Sequence, residues 1–137
     1  MLYVLDASFV GTLIIPDEKN INVEKMYTQI VTNDEKWVPS IFSYEMVNIF
    51  MNLLRRKRNT YDESVRLISV LFDIRLKYDH ETGVEYSKKL LRICNDFNIS
   101  SYDAAYLELA ERKNAVLCTM DDALRAADER YGVRVLR

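Results

Sequence analysis

Residues 1–16 read MLYVLDASFVGTLIIP, and this stretch sets the expected fold. Leu2 to Leu5 is a short, continuously apolar run, which is typical of a strand buried on both faces. Asp6 stops the run and is placed to cap a helix over about residues 7–15, which Pro16 ends. A buried strand followed at once by a helix predicts an α/β fold with a mainly parallel sheet.

The same alternation continues to the end of the chain. Periodic apolar residues predict helices over about 21–32, from Ser40 or Ser43 to 57, and over 61–76, 81–97, 102–113 and 121–131. Short apolar runs predict strands over 36–39, 115–118 and 133–135. A chain of 137 residues without repeats or linkers fits one domain, residues 1–137.

Net charge and cysteine content give limited information about the partners and the cellular compartment of the protein. The 19 basic and 21 acidic residues leave a net charge of −2, so bulk charge does not argue for nucleic acid. A bound metal can still reverse the local sign. The two cysteines, Cys94 and Cys118, have neither disulfide-framework nor metal-ligand spacing, so we expect buried thiols in a reducing compartment.

The N-terminal sequence and hydropathy predict a cytoplasmic protein. The opening apolar run meets Asp6 too early to be a signal segment, and no 18-residue apolar run follows it. We therefore expect no membrane association.

Four acids fall where a parallel sheet places its ligands, near the carboxyl ends of strands. Asp6 and Asp121 follow predicted strands, and Glu45 and Asp103 lie near the start of predicted helices. Each also has a purely structural explanation, as a helix cap, a first-turn acid or a solvated helix residue.

Glu45 is the most informative of the four. It shares a helical face with Asn48 and Asn52, beside apolar neighbours, which favours the lining of a cavity. Carboxylates ~4 Å apart would repel by about 4 kcal/mol at an effective dielectric near 20. A hard, oxygen-seeking cation such as Mg²⁺ or Mn²⁺ relieves that repulsion. The single histidine, His80, makes a histidine zinc site improbable.

Two further segments have open interpretations. The dense basic run of Arg55, Arg56, Lys57 and Arg58 is either a solvated helix end or a clamp for RNA phosphates. The predicted helix over 61–76 is apolar nearly all round, so part of it should be covered by the core or by a second chain.

At these residues the chain resembles PIN-domain proteins, of the kind seen in the VapC toxins of prokaryotic toxin–antitoxin pairs. Four segments carry the resemblance, in order and over almost the whole chain: VLDASF around Asp6, PSIFSYEMVNIF around Glu45, SSYDAAYLELAE around Asp103, and LCTMDDALRAA around Asp121. Any one of these segments is a weak signal, whereas all four at family-like spacing are fairly specific.

The resemblance implies a three-layer α/β/α sandwich and endonucleolytic cleavage of RNA with Mg²⁺ or Mn²⁺. Asp6, Glu45 and Asp103 would hold a metal, and Asp121 would complete that site or a second one. Ser8, Asn48 and Thr119 would orient ligands or waters around them. Activated water would leave a 5′ phosphate and a 3′ hydroxyl. A homodimer and a small antitoxin partner are also implied.

Three questions stay open at this point. Asp122 adjoins Asp121, and either can face the metal, although the spacing from Thr119 favours Asp121. The chain can be an inactive PIN-like protein that acts by binding RNA or protein. A phosphatase with Asp6 as nucleophile lacks its general acid, because the residue two positions on is Ser8.

Overall fold

The computed structural model describes residues 1–18, 20–30 and 32–136, which form a five-stranded sheet and seven α-helices. The strands are β1 (Leu2–Leu5), β2 (Glu35–Pro39), β3 (Leu76–Asp79), β4 (Val116–Cys118) and β5 (Arg134–Val135). The helices are α1 (Ala7–Ile14), α2 (Ile21–Thr28), α3 (Ile41–Arg55), α4 (Tyr61–Ile74), α5 (Val84–Phe97), α6 (Ser101–Lys113) and α7 (Asp122–Tyr131). A 3₁₀ turn spans Pro16–Glu18.

All neighbouring strands pair in parallel, in the order β3-β2-β1-β4-β5. The chain starts in the middle of the sheet, extends to one edge through β2 and β3, and then returns to the other side of β1 with β4. The strand order therefore reverses between β1 and β4. In open parallel sheets, the crevice outside the carboxyl ends of the strands at such a reversal is where ligands bind.

Helices cover both faces of the sheet, as the predicted three-layer sandwich requires. On one face, Tyr3 and Leu5 of β1 belong to a core that includes Phe9 of α1 and Phe42 of α3. On the other, Val4 packs in a second core with residues of α6 and α7. Helix α5 packs outside α6, around the buried Ile93. The alternation along β1 confirms that the opening apolar run is a strand buried on both faces.

Side-chain caps fix where several helices begin. Asp6, Thr60, Ser100 and Asp121 each accept a hydrogen bond from a backbone N–H in the first turn of the helix that follows. These bonds satisfy donors that have no partner inside the helix. Two of these caps, Asp6 and Asp121, follow β1 and β4 in sequence. The same bonds therefore help to fix candidate site residues at the carboxyl ends of these strands.

The sequence prediction was wrong about β3, which we expected to be the end of a helix and a junction. Helix α4 ends at Ile74, because Arg75 adopts a left-handed conformation with φ of 58°. Strand β3 then forms one edge of the sheet, and Lys77 and Tyr78 in its middle are exposed. An exposed edge strand lacks the continuous apolar run that identifies a buried one.

Other differences are smaller. The helix predicted over 21–32 ends at Thr28, before a β-branched stretch that favours helix poorly, and Val31 lies outside the described residues. Helix α5 begins at Val84 rather than at residue 81, after Gly83 with φ of 106°. Cys118 is buried as expected, whereas Cys94 is only partly buried. Across the described ranges, no helix combines the length and apolar character needed to cross a bilayer.

Candidate active site

Asp6 is the most tightly fixed of the four predicted acids. It follows β1 directly, and its backbone N–H donates to the carbonyl of Cys118 on β4 at 3.0 Å. Its Oδ1 accepts hydrogen bonds from the Ser8 hydroxyl at 2.7 Å and from the Phe9 N–H at 2.8 Å. Its Oδ2 accepts a hydrogen bond from the Thr119 hydroxyl. The buried carboxylate therefore has one orientation, at the reversal point of the sheet.

Thr119 links Asp6 to the second strand end. Its Oγ1 also accepts a hydrogen bond from the Asp121 N–H at 3.0 Å, and the Met120 N–H donates to Ser8 Oγ at 3.3 Å. Asp121 caps α7 by accepting from the Leu124 N–H at 2.8 Å. Ser8 and Thr119 therefore hold the loops that follow β1 and β4 together, and each contacts Asp6 directly.

The structure distinguishes Asp121 from its neighbour. The Asp122 side chain is 97% exposed and lies 3.7 Å from the guanidinium of Arg125. Asp121 instead couples electrostatically to Asp6 and Asp103. The geometry thus favours Asp121 as the fourth acid.

Glu45 lies in the second turn of α3, partly buried against the hydroxyl of Tyr106 on α6. Its Oε1 and the Tyr106 oxygen are both buried, and within the described part of the chain neither makes a hydrogen bond of regular geometry. Burial raises the pKa of Glu45, the contact with Tyr106 lowers it, and the charges of Asp6 and Asp103 raise it again, with a net increase. A buried carboxylate oxygen without a regular partner indicates room for another ligand.

Asp103 completes the four from the opposite face of the sheet. It lies in the first turn of α6, where its N–H donates to the Ser100 cap at 3.1 Å. Burial raises its pKa, and the charge of Asp121 raises it further. Burial likewise raises the pKa of Asp6 above its ordinary value, although three hydrogen bonds oppose the change. The charges of acids that follow β1, lie on α3 and α6, and cap α7 therefore act on one another.

Asp128 is a fifth acid in this group, and sequence reasoning missed it. Its side chain on α7 is fully buried, and neither carboxylate oxygen has a hydrogen-bond partner among the residues described. Burial raises its pKa to about 8, with further contributions from Asp6, Asp103 and Asp121. The sequence does contain a signal for its burial, because Asp128 lies on the same apolar face of α7 as Leu124.

These acids make an oxygen-only donor set. Within the described ranges, no three His, Cys, Asp or Glu side chains lie close enough to form a ready-made metal site. Nor does any of the five acids form an ion pair with a described lysine or arginine. Carboxylates with raised pKa values and an unpartnered oxygen suit a hard cation that keeps several of its waters. The residues therefore fit Mg²⁺ or Mn²⁺ better than a metal that needs nitrogen or sulfur ligands.

The polar stripe predicted on α3 lines a groove next to this cluster. Glu45, Asn48 and Asn52 border a cavity of about 360 Å³, together with Ser8. The prediction that this face of α3 lines a cavity is therefore confirmed. Asn48 is exposed there, next to the acids rather than bonded to them.

The basic residues at the end of α3 lie in different environments. Helix α3 ends at Arg55, and Lys57 adopts a left-handed conformation with φ of 56°. Arg56 lines a second cavity of about 280 Å³ that also includes Ser8 and Asn52. Arg58 lies 3.8 Å from Asp17 and 3.6 Å from Glu18, so part of its charge is already paired. Arg56 is the member of the run that borders the site.

Comparison with known proteins agrees with this architecture. The chain is 27% identical over 124 residues to Ribonuclease VapC3 of Pyrobaculum aerophilum, covering 90% of this chain and 92% of that protein. It superposes on the crystal structure of PAE2754 from Pyrobaculum aerophilum with a TM-score of 0.72 and 19% identity, over 98% of this chain and 89% of that one. It superposes on VapBC-1 from nontypeable Haemophilus influenzae with a TM-score of 0.69 and 18% identity, over 98% and 96%.

A family model matches almost the entire sequence. The model is that of the PIN domain, and it aligns with residues 3–130, from β1 into the last turn of α7. That span includes every one of the acids described above. The chain belongs to the PIN domain family.

Proposed function

We propose that this protein is an endoribonuclease that uses Mg²⁺ or Mn²⁺ and water to cleave phosphodiester bonds in RNA. The observation that supports the proposal is that the charges of Asp6, Glu45, Asp103 and Asp121 act on one another near the reversal point of the sheet, without a compensating cation among the described residues. Membership of the PIN domain family and the similarity to Ribonuclease VapC3 support it.

Asp6, Glu45 and Asp103 would hold one ion, and Asp121 would complete that site or a second one. When bound, the metal supplies a water with a lowered pKa and positive charge close to the scissile phosphate. Since RNA phosphates are negative, the acids alone would repel the substrate. Metal and substrate binding are therefore coupled in this proposal.

The chain's own residues orient the carboxylates. The Ser8 and Thr119 hydroxyls donate to opposite oxygens of Asp6, so its carboxylate plane is fixed before any ligand arrives. The Tyr106 hydroxyl on α6 lies against the Glu45 carboxylate without a regular hydrogen bond, and this contact lowers the pKa of Glu45. Asn48 lies exposed on the same groove wall, where its amide can bond to a water or to a ribose hydroxyl. Such neighbouring groups commonly change metal affinity or activity by about 10–100-fold.

We also propose that the protein is the toxin of a VapBC-type pair in the cytoplasm, working as a homodimer held by a small antitoxin. The solved VapBC-1 structure supports this by its likeness in fold. The outer side of α4 gives a surface for a protein partner, since Val65, Ile68 and Phe72 are exposed, Phe72 by 86%. A cluster of large apolar side chains in water is typical of an interaction site.

The test is metal-dependent cleavage of RNA by variants of the acids. Asp6→Asn and Asp103→Asn should each lower the cleavage rate by about 100-fold or more, since a metal ligand is lost. Both variants should keep the parent's melting temperature or exceed it, because removing one of several like charges relieves repulsion. Cleavage of a labelled RNA with Mg²⁺ or Mn²⁺ and with EDTA gives the rates, and circular dichroism gives the melting curves.

Asp122→Asn is the matched control, because it removes an acid next to Asp121 whose side chain is 97% exposed. It should cut RNA within about twofold of the parent. If Asp6→Asn and Asp103→Asn cut as fast as this control, the site assignment is wrong. If the parent binds RNA but never cuts it with any divalent metal, the chain is an inactive PIN-like binding protein.

A further inference from the structure

Two exposed tyrosines border the groove beside Glu45. Tyr44 on α3 is 71% exposed, and Tyr102 on α6 is 56% exposed. Both line the same cavity of about 360 Å³, although their helices cover opposite faces of the sheet. Large aromatic side chains exposed together at one groove are typical of an interaction site.

The sequence places each tyrosine one residue before a candidate metal ligand. Tyr44 precedes Glu45, and Tyr102 precedes Asp103. One residue along a helix rotates the side chain by about 100°, so each ring lies beside its acid rather than over it. A group held between the rings would therefore lie next to the metal-binding cluster.

Because the protein is negatively charged, we expect RNA contacts that do not depend on charge. The net charge is −2, and the candidate site is itself acidic, so phosphate contacts alone give little affinity. Stacking of a base on an aromatic ring contributes affinity that does not depend on charge, and every base offers such a face. The exposed amides of Asn48 and Asn52 on the same groove add donors and acceptors for a base edge or a 2′-hydroxyl.

The groove also leads toward a cation. Ser8 and Asn52 line both this cavity and the neighbouring one, which reaches Arg56. A strand of RNA lying along α3 would thus meet the tyrosines, then the acids beside Glu45, and then a guanidinium suited to a phosphate. A volume of about 360 Å³ falls within the usual range for small-ligand pockets, which suits one nucleotide.

We propose that Tyr44 and Tyr102 form a stacking platform that holds one unpaired base of single-stranded RNA next to the bond to be cut. This inference rests on the proposed ribonuclease function and assigns the two residues that would hold a base of the substrate. A base within a duplex is already stacked on both sides, so it cannot enter the platform without unpairing. The enzyme should therefore cut single-stranded RNA and loops in preference to duplex.

The test measures RNA binding separately from cleavage. Fluorescence anisotropy is recorded in Mg²⁺ with a short, labelled single-stranded RNA whose phosphorothioate linkages resist hydrolysis, and every variant keeps Asp6, so that the candidate metal site stays intact. Tyr44→Ala and Tyr102→Ala should each raise the dissociation constant by about tenfold, whereas Tyr44→Phe and Tyr102→Phe should keep the parent's value. Val47→Ala is the control, since Val47 is 53% exposed on the same helix but does not line the groove.

Substrates with one abasic position identify the contact. Moving the abasic site along the RNA should reproduce the tenfold loss at one position for the parent, and the alanine variants should be insensitive there. If the alanine variants bind like Val47→Ala while the parent still cuts unmodified RNA, the platform is wrong and the proposed function stands. If the alanine variants change only the protein's own association state, the tyrosines belong to a protein interface and the inference is overturned.

Discussion

The molecule has two clusters of acidic residues, and they differ in whether a lysine or arginine pairs with the acids. In the first, which we call the paired cluster, Arg112 donates to Asp79 at 2.7 Å and to Glu108 at 2.8 Å, and Lys89 lies 3.2 Å from Glu111. In the second, the site cluster, Asp6, Glu45, Asp103, Asp121 and Asp128 pair with no lysine or arginine among the described residues.

The pKa values follow this difference. Burial alone would raise the pKa of Asp79, but the hydrogen bonds and charge of Arg112 bring it below its ordinary value. Burial raises the pKa of Asp6 and of Asp103, and neighbouring acids add to the increase. A protein cation completes the paired cluster, so its role is to join β3 to α6. The site cluster is left incomplete, which is what a binding site for an external cation requires.

The largest expected effect comes from removing the cation of the paired cluster. Arg112→Met leaves Glu108, which is only 2% exposed, without its closest partner. A buried carboxylate stripped of its partner typically costs 3–5 kcal/mol, so we expect the free energy of unfolding to fall by about that amount. Urea denaturation monitored by circular dichroism measures the loss.

Lys88→Met is the control for this substitution, because Lys88 and Glu85 form an exposed pair at 3.4 Å. Such surface pairs contribute between zero and about 1 kcal/mol. A loss below about 1 kcal/mol for Arg112→Met, equal to that of the control, would mean that the two clusters do not differ as described.

An effect of about 2 kcal/mol between pH 5 and 7, with a defined pH dependence, is expected at Asp128. Its pKa is about 8 in the folded protein against an ordinary 3.8, so the folded state keeps a proton that the unfolded chain releases. The free energy of unfolding should therefore fall as the pH rises from about 4 to 8, by at most about 1.4 kcal/mol per pH unit from this group. Asp128→Asn removes that contribution.

The measurement is urea denaturation of parent and variant at several pH values in EDTA. Asp128→Asn should flatten the decline by about 1 kcal/mol per pH unit between pH 5 and 7, and its advantage should be greatest at the alkaline end. Parallel curves for the two proteins would show that Asp128 is charged and solvated in the folded state.

Local sequence patterns were sufficient for most of the fold. The continuous apolar runs of β1 and β4 and the caps Asp6, Ser100 and Asp121 marked those elements to within about one residue. Strand β3 was missed because an edge strand is half exposed, and its identity depends on pairing with β2. Pairing between distant segments is not encoded in the hydrophobicity of the strand itself.

The candidate site was only partly predictable from the sequence. Acids that follow strand ends could be assigned to one edge of a parallel sheet before any coordinates were known. Asp128 was not found although it lies four residues after Leu124 on the apolar face of α7, because an acid in a helix is ordinarily expected to be solvated. The assignment of metal roles to the four acids remains a prediction.

The central claim is that the site cluster is incomplete without a divalent cation, and calorimetric titration tests it directly. Chelator-treated protein titrated with Mn²⁺ at pH 7 should bind the metal, because the cation relieves the repulsion among acids that have no protein cation as a partner. Asp6→Asn should lose most of this affinity, and Asp122→Asn should retain it. Equal binding by both variants, or no binding by the parent, would contradict the account.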